Sequence, residues 1–214
     1  MRRRYLVIML AMLGLGLPAI AHAQSTQAQL KDAQAKVVGT ATLSEVPGGV
    51  RVTLRVNGLK PGELGFHIHA VGKCEPPDFM SAGGHFNPYR KHHGLANPAG
   101  PHAGDFPNLK VGADGTGSLD TIDSLVTLKE GAYSLIRPGG TSLIIHADPD
   151  DEKTDPAGNS GARVACGRIE RSGPLTDQSP GRRPGPFNAS MASQAPAKRK
   201  SSEPATHMIT PEID

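Results

Sequence analysis

Period-two alternation, repeated in short runs between glycine- and proline-bearing turns, is the feature that most restricts the folds open to this chain. Val50-Arg51-Val52-Thr53-Leu54-Arg55-Val56 alternates apolar and polar residues without a break. Successive side chains on a strand point to opposite faces, so such a run has one dry face and one wet face. Residues 37–43 alternate in the same way, and Pro47-Gly48-Gly49 between the two runs predicts a hairpin turn. Asn57-Gly58 and Pro61-Gly62 mark the next turn, and residues 64–69 predict another strand. A second hairpin is expected from 109–112 and 115–122 around Ala113-Asp114. Residues 142–146 and 163–169 complete the strands, with 27–33 a weakly patterned candidate for the first. No long helical period occurs, and an all-β sandwich or barrel follows. Two segments, 71–108 and 147–162, lack the alternation. Long loops in a compact domain are usually functional or disordered. The first contains His85, His92, His93 and His102, which favours function.

The two ends of the chain differ from this body. Arg2, Arg3 and Arg4 precede an apolar run over 5–20, and Ala21-His22-Ala23 offers a small-x-small cleavage site before Gln24. That is the pattern of an export signal over 1–23. The apolar run is short for a bilayer span, which needs roughly 20 residues. The leader has no lipobox cysteine, so soluble release into a periplasm is expected, with secretion as the other destination and no membrane partner after cleavage. The body is expected over 24–170. The tail, 171–214, is rich in Pro, Ser, Gly and Ala and has few large apolar residues, so it is expected to be disordered. It carries a basic patch, Lys198-Arg199-Lys200, and a sequon, Asn188-Ala189-Ser190.

Charge excludes one class of partner. The formal charge of the whole chain is +3, but the leader and tail supply it. Residues 24–170 hold 14 basic and 16 acidic side chains, a net −2. A nucleic-acid-binding domain would carry a basic body, so no nucleic-acid partner is expected. The only cysteines, Cys74 and Cys166, lie in the body. In an exported chain an even number of cysteines suggests one disulfide.

Seven of the nine histidines lie in the body, and six of those fall between His67 and His102. His67 and His69 are two apart at the end of a predicted strand, so their imidazoles share a face and can converge on one cation. His146 ends another strand and can supply a third nitrogen. His85, His93, His102 and Asp105 form a second set, three imidazoles and a carboxylate, suited to tetrahedral zinc. The carboxylate favours zinc over Cu(I). His92 and His93 are adjacent, and spacing does not decide between them.

Gly65-Phe66-His67-Ile68-His69, Gly83-Gly84-His85-Phe86-Asn87-Pro88, His102-Ala103-Gly104-Asp105 and Gly161-Ala162-Arg163-Val164-Ala165-Cys166-Gly167 resemble the copper/zinc superoxide dismutases, in that family's order and intervals. The resemblance covers about 24–169. It implies a Greek-key β-barrel or flattened sandwich of about eight antiparallel strands with long metal-binding loops. It implies conversion of superoxide to dioxygen and hydrogen peroxide by Cu(II)/Cu(I) cycling at a histidine-bridged site. By this resemblance His67, His69, His85 and His146 are copper ligands, and His85, His93, His102 and Asp105 are zinc ligands. His85 is the bridge and a catalytic proton carrier. His93, followed by Gly94, matches the family pattern, which leaves His92 as a bystander. Asp150 is the carboxylate linking His67 to His93, Arg163 is the fixed positive charge that guides superoxide, and Cys74–Cys166 is the intrasubunit disulfide. Family members occur as monomers and as homodimers. The competing function is a periplasmic copper or zinc buffer or carrier on the same fold. Arg163 and a bridging His85 count against it, since storage needs neither.

Overall fold

A computed structural model describes residues 24–171. The leader read over 1–23 and the tail beyond Arg171, with its sequon and basic patch, lie outside the described residues.

Nine strands form one sheet: β1 (Ser25–Lys31), β2 (Val37–Val46), β3 (Gly49–Val56), β4 (Gly62–Leu64), β5 (Phe66–His69), β6 (Leu109–Val111), β7 (Gly117–Asp123), β8 (Thr141–His146) and β9 (Arg163–Ile169). Their order is β4-β6-β7-β3-β2-β1-β9-β8-β5, with every pairing antiparallel. The two outermost strands, β4 and β5, are separated in sequence only by Gly65. The chain therefore joins the two ends of the sheet, which curls into a nearly closed Greek-key barrel. Closure removes exposed strand edges.

Alternation explains the filling of the barrel. β3 buries Val50, Val52, Leu54 and Val56, and exposes Arg51 and Arg55. Ala28 and Leu30 from β1 and Ala41 and Leu43 from β2 meet them in the interior. At ~25 cal/mol per Å² of apolar surface removed from water, these inward rows supply most of the folding drive. β5 and β8 break the rule, because every one of their residues is buried. Phe66 and Ile68 face the barrel core, as do Leu143 and Ile145. The opposite face, which carries His67, His69, Ile144 and His146, is covered by the two long loops rather than by water.

Two expectations need correction. The predicted strand over 64–69 is split at Gly65, whose N–H donates to Asp148 O at 2.9 Å and whose carbonyl accepts from His146 N at 2.8 Å. A third non-strand segment, 124–140, was not foreseen. Its Val126, Leu128 and Leu135 point into the main core, although it forms no strand of the sheet. Its backbone is instead tied by Glu45, whose carboxylate accepts from Leu128 N at 2.7 Å and Thr127 Oγ1 at 3.0 Å.

Asp123 stands at the base of that segment. One oxygen accepts from Leu125 N at 2.9 Å, while Oδ2 is buried with no partner in the protein. Burial disfavours its charged form and raises its pKa to about 7, against 3.8 ordinarily. Between those values the folded state holds a proton that the unfolded chain has lost. Stability from this group is thus full below about 4 and declines as pH rises through about 7, with an upper bound of roughly 4 kcal/mol. Asp123→Asn is expected to remove this slope. Urea unfolding at pH 5 and pH 8 checks it, and equal pH dependence in the two proteins would show that Asp123 does not titrate in this range.

Candidate metal centre

Four chain segments converge on the covered face of β5 and β8. His67 and His69 come from β5, His146 from the end of β8, and His85, His93, His102 and Asp105 from the loop 70–108. Asp150 arrives from the loop 147–162. All are buried apart from His85, whose backbone is partly exposed while its side chain is only 3% accessible.

The hydrogen bonds assign a direction to each ring. His67 Nε2 meets Asp150 Oδ2 at 2.6 Å, His69 Nδ1 meets Gly83 O at 2.8 Å and His146 Nδ1 meets Gly161 O at 3.2 Å. His85 Nδ1 lies 2.9 Å from Asp105 Oδ1. The remaining nitrogens, His67 Nδ1, His69 Nε2, His85 Nε2 and His146 Nε2, are buried and have no partner. These same four residues can present one ligand atom each within 4.8 Å of one another. A buried polar atom without a partner is costly. Four of them aimed at one point fit a cation with four imidazole ligands.

A second group meets the first at His85. One ligand atom each from His85, His93, His102 and Asp105 also lies within 4.8 Å of the others. Asp105 Oδ1 sits 2.9 Å from His85 Nδ1, 3.1 Å from His93 Nδ1 and 3.4 Å from His102 Nδ1. Its Oδ2 accepts from Gly94 N and His102 N, both at 2.9 Å. Three imidazoles and one carboxylate fit zinc. Asp150 then spans the groups, reaching His67 Nε2 with one oxygen and His93 Nε2 at 3.0 Å with the other. Carboxylates in this position orient imidazoles and set their basicity.

Glycines permit the close approach. A Cβ on Gly104 would lie 2.3 Å from Ile68 O, so only glycine lets the His102–Asp105 turn reach β5. Gly94 has φ +105 and faces Glu152 O, where a Cβ would lie at 2.0 Å. That contact locks the two long loops together beside His93.

The two adjacent histidines lie in different surroundings. His93 is fully buried inside the second group, whereas His92 is exposed and pairs with Asp155. Asp155 also accepts from His93 N at 2.7 Å. Neither this clamp nor Asn108, which holds the Asp150 backbone through two 2.8 Å bonds, is legible in the sequence.

Burial divides the ionisation of the site. It is the largest influence on His69, His146 and His85, lowering them to about 2, 3 and 4, with neighbouring imidazoles adding to the effect. Burial also lowers His67 despite Asp150. These rings are neutral at ordinary pH, the form that binds metal. At His93 burial is outweighed by Asp105 and Asp150, which raise it to about 9. Burial opposes ionisation of Asp105 and Asp150 too, but the surrounding donors hold both well below the usual carboxylate range.

Arg163 opens β9 and is partly exposed. Its Nη1 donates to Phe79 O and its Nη2 to Gly83 O, both at 2.7 Å. Gly83 O is also the partner of His69 Nδ1, so one carbonyl fixes the guanidinium against the four-histidine group. Cys74 and Cys166 form a disulfide across a sequence separation of 92, joining the loop 70–108 to β9 three residues beyond Arg163.

A family model described as copper/zinc superoxide dismutase matches residues 37–169. Superoxide dismutase [Cu-Zn] 1 of Aquifex aeolicus is 48% identical over 154 residues, covering 71% of this chain and 91% of that protein. The crystal structure of a SOD-like protein from Bacillus subtilis is 43% identical, with a TM-score of 0.65 over 67% of this chain and 97% of that one. The Cu/Zn superoxide dismutase from Brucella abortus is 34% identical, with a TM-score of 0.57 over 69% of this chain and all of that one, 100%. With the barrel, the paired ligand groups and the disulfide all in place, the chain belongs to the copper/zinc superoxide dismutase family.

Proposed function

We propose that the body, residues 24–170, converts superoxide to dioxygen and hydrogen peroxide, with His67, His69, His85 and His146 holding copper and His85, His93, His102 and Asp105 holding zinc. The observation that carries this reading is the set of four unpartnered imidazole nitrogens that shares His85 with a His3Asp group. Bound copper supplies a one-electron couple, and bound zinc a fixed charge without redox chemistry.

The protein's own groups do the rest. His85 presents Nε2 to the first group and Nδ1 to the second, so it is placed to hold and release a proton at Nε2 while its ring stays anchored by Asp105. Asp150 keeps His67 and His93 in register. Arg163 presents a permanent positive charge to a small anion. On a body of net −2 such a local charge is needed for attraction, and superoxide dismutase is itself a standard example of electrostatic steering. The buffer or carrier reading is not favoured, because a store has no use for a guanidinium pinned beside the metal.

Arg163→Ala is expected to lower kcat/KM for superoxide roughly ten-fold or more and to flatten its dependence on ionic strength, with both metals retained. An unchanged rate would refute the guiding role. Export to a periplasm follows from the leader over 1–23, and N-terminal sequencing of the mature protein tests it. For the reaction, the experiment is dismutation by the protein from Gln24 onward, alongside copper and zinc analysis. Fast turnover with one equivalent of each metal supports the enzyme, and both metals without turnover supports the carrier.

A further inference from the structure

We propose that Phe79 is the positioning residue for Arg163. This rests on the reading that Arg163 guides superoxide.

Phe79 has φ 55 and ψ 23, the left-handed region. A bulky residue there is an outlier, and the strain persists only where surroundings enforce it. Glycine would adopt this conformation freely; phenylalanine is held in it by its contacts, of which the buried side chain makes one set and the hydrogen bonds of the turn the other. The ring is 2% exposed and packs with Ala82, Ile144 and Cys166, with Ala33 and Cys74 at the margin. It is thus trapped beneath the disulfide, on the outer face of β8 and β9. This cluster is separate from the main core, and nothing in the alternation pattern predicts it.

The enforced backbone does two things. Phe79 N donates to Glu75 O at 3.1 Å, closing the turn behind it. Phe79 O accepts from Ala82 N at 3.1 Å and from Arg163 Nη1 at 2.7 Å. Phe79 also begins the 3-10 turn Met80–Ala82, which ends at Gly83. Gly83 O is the second carbonyl on Arg163 and the partner of His69. Both fixed points of the guanidinium therefore sit at the two ends of one turn. The Phe79 ring determines where that turn stands. If the ring goes, the turn can relax to an ordinary conformation, and its carbonyls swing away from the guanidinium.

Two measurements test this. The first is nitrogen-15 relaxation of the Arg163 side chain, which reads its order directly in the metal-free and the loaded protein. Arg163 is expected to be rigid in the wild type and mobile in Phe79→Ala with the disulfide intact. The second is kcat/KM for superoxide in a double-mutant cycle. Phe79→Ala is expected to lower it roughly 3- to 10-fold, the scale of one ordinary hydrogen bond, with metal content unchanged. In the Arg163→Ala background the same change should have almost no further effect. An Arg163 that stays rigid in Phe79→Ala, or losses that multiply in full, would overturn the proposal. Should Phe79→Ala fail to fold, Phe79→Leu keeps apolar bulk under the bridge and is expected to move both readouts the same way by less. An Arg163→Ala variant with the wild-type rate would defeat the guiding role itself, a result distinct from failure of the Phe79 coupling.

Discussion

Asp105→Ala is expected to lose zinc and keep copper, with the largest fall in stability of any single carboxylate change in the site. Asp105 accepts from four side-chain and backbone donors at 2.9–3.1 Å: His85 Nδ1, His93 Nδ1, Gly94 N and His102 N. Truncation strands these groups in a buried place, at about 1–3 kcal/mol each where water cannot reach them. It also removes the charge that holds the zinc set together. A metal present at a thousand times its dissociation constant stabilises the folded state by about 4 kcal/mol, and that linkage disappears with the site. The copper set keeps its four nitrogens, because Asp105 belongs only to the second group. Elemental analysis and thermal unfolding of the purified variant are the measurements. Zinc intact with copper gone would reverse the assignment of the two groups.

The second large effect concerns the disulfide. Cys74→Ala with Cys166→Ala opens a loop of 92 residues in the unfolded chain. The chain-entropy model assigns such a closure roughly 4–5 kcal/mol, which for a domain of this size lowers Tm by about 10–15 °C. Denaturant titration of the wild type under reducing conditions should approach the double variant. A difference below about 1 kcal/mol would mean that the contacts of the loop 70–108 hold it without the bridge. The bridge also covers Phe79 and lies three residues from Arg163, so the variant is expected to lose rate beyond its loss of folded protein.

Much of the fold was legible before the structure. β3 and β9 fall where alternation and turn residues put them, and the remaining strands lie within a few residues of their predicted spans. Segment 124–140 was not legible, because its apolar residues fill the core from a loop, and burial alone does not distinguish loop from strand. The covered face of β5 and β8 was equally hidden. A polar residue that alternates with core residues reads as solvent-facing, yet His67 and His69 are buried by loops whose position the strand pattern does not encode.

What the sequence determined by itself is local. The period of two places His67 and His69 on one face, and His102-Ala103-Gly104-Asp105 brings an imidazole and a carboxylate into one turn. Short-range backbone geometry decides both. Only the tertiary structure shows that His93 is buried among the clustered donors while His92 is exposed, and which nitrogens of His67, His69, His85 and His146 are left without a partner. It alone showed that Phe79 and Gly83 hold Arg163. These depend on contacts such as His67 with Asp150, 83 residues apart, and Arg163 with Phe79, 84 apart. Barrel closure brings such pairs together, and no pattern within a single strand or turn contains that information.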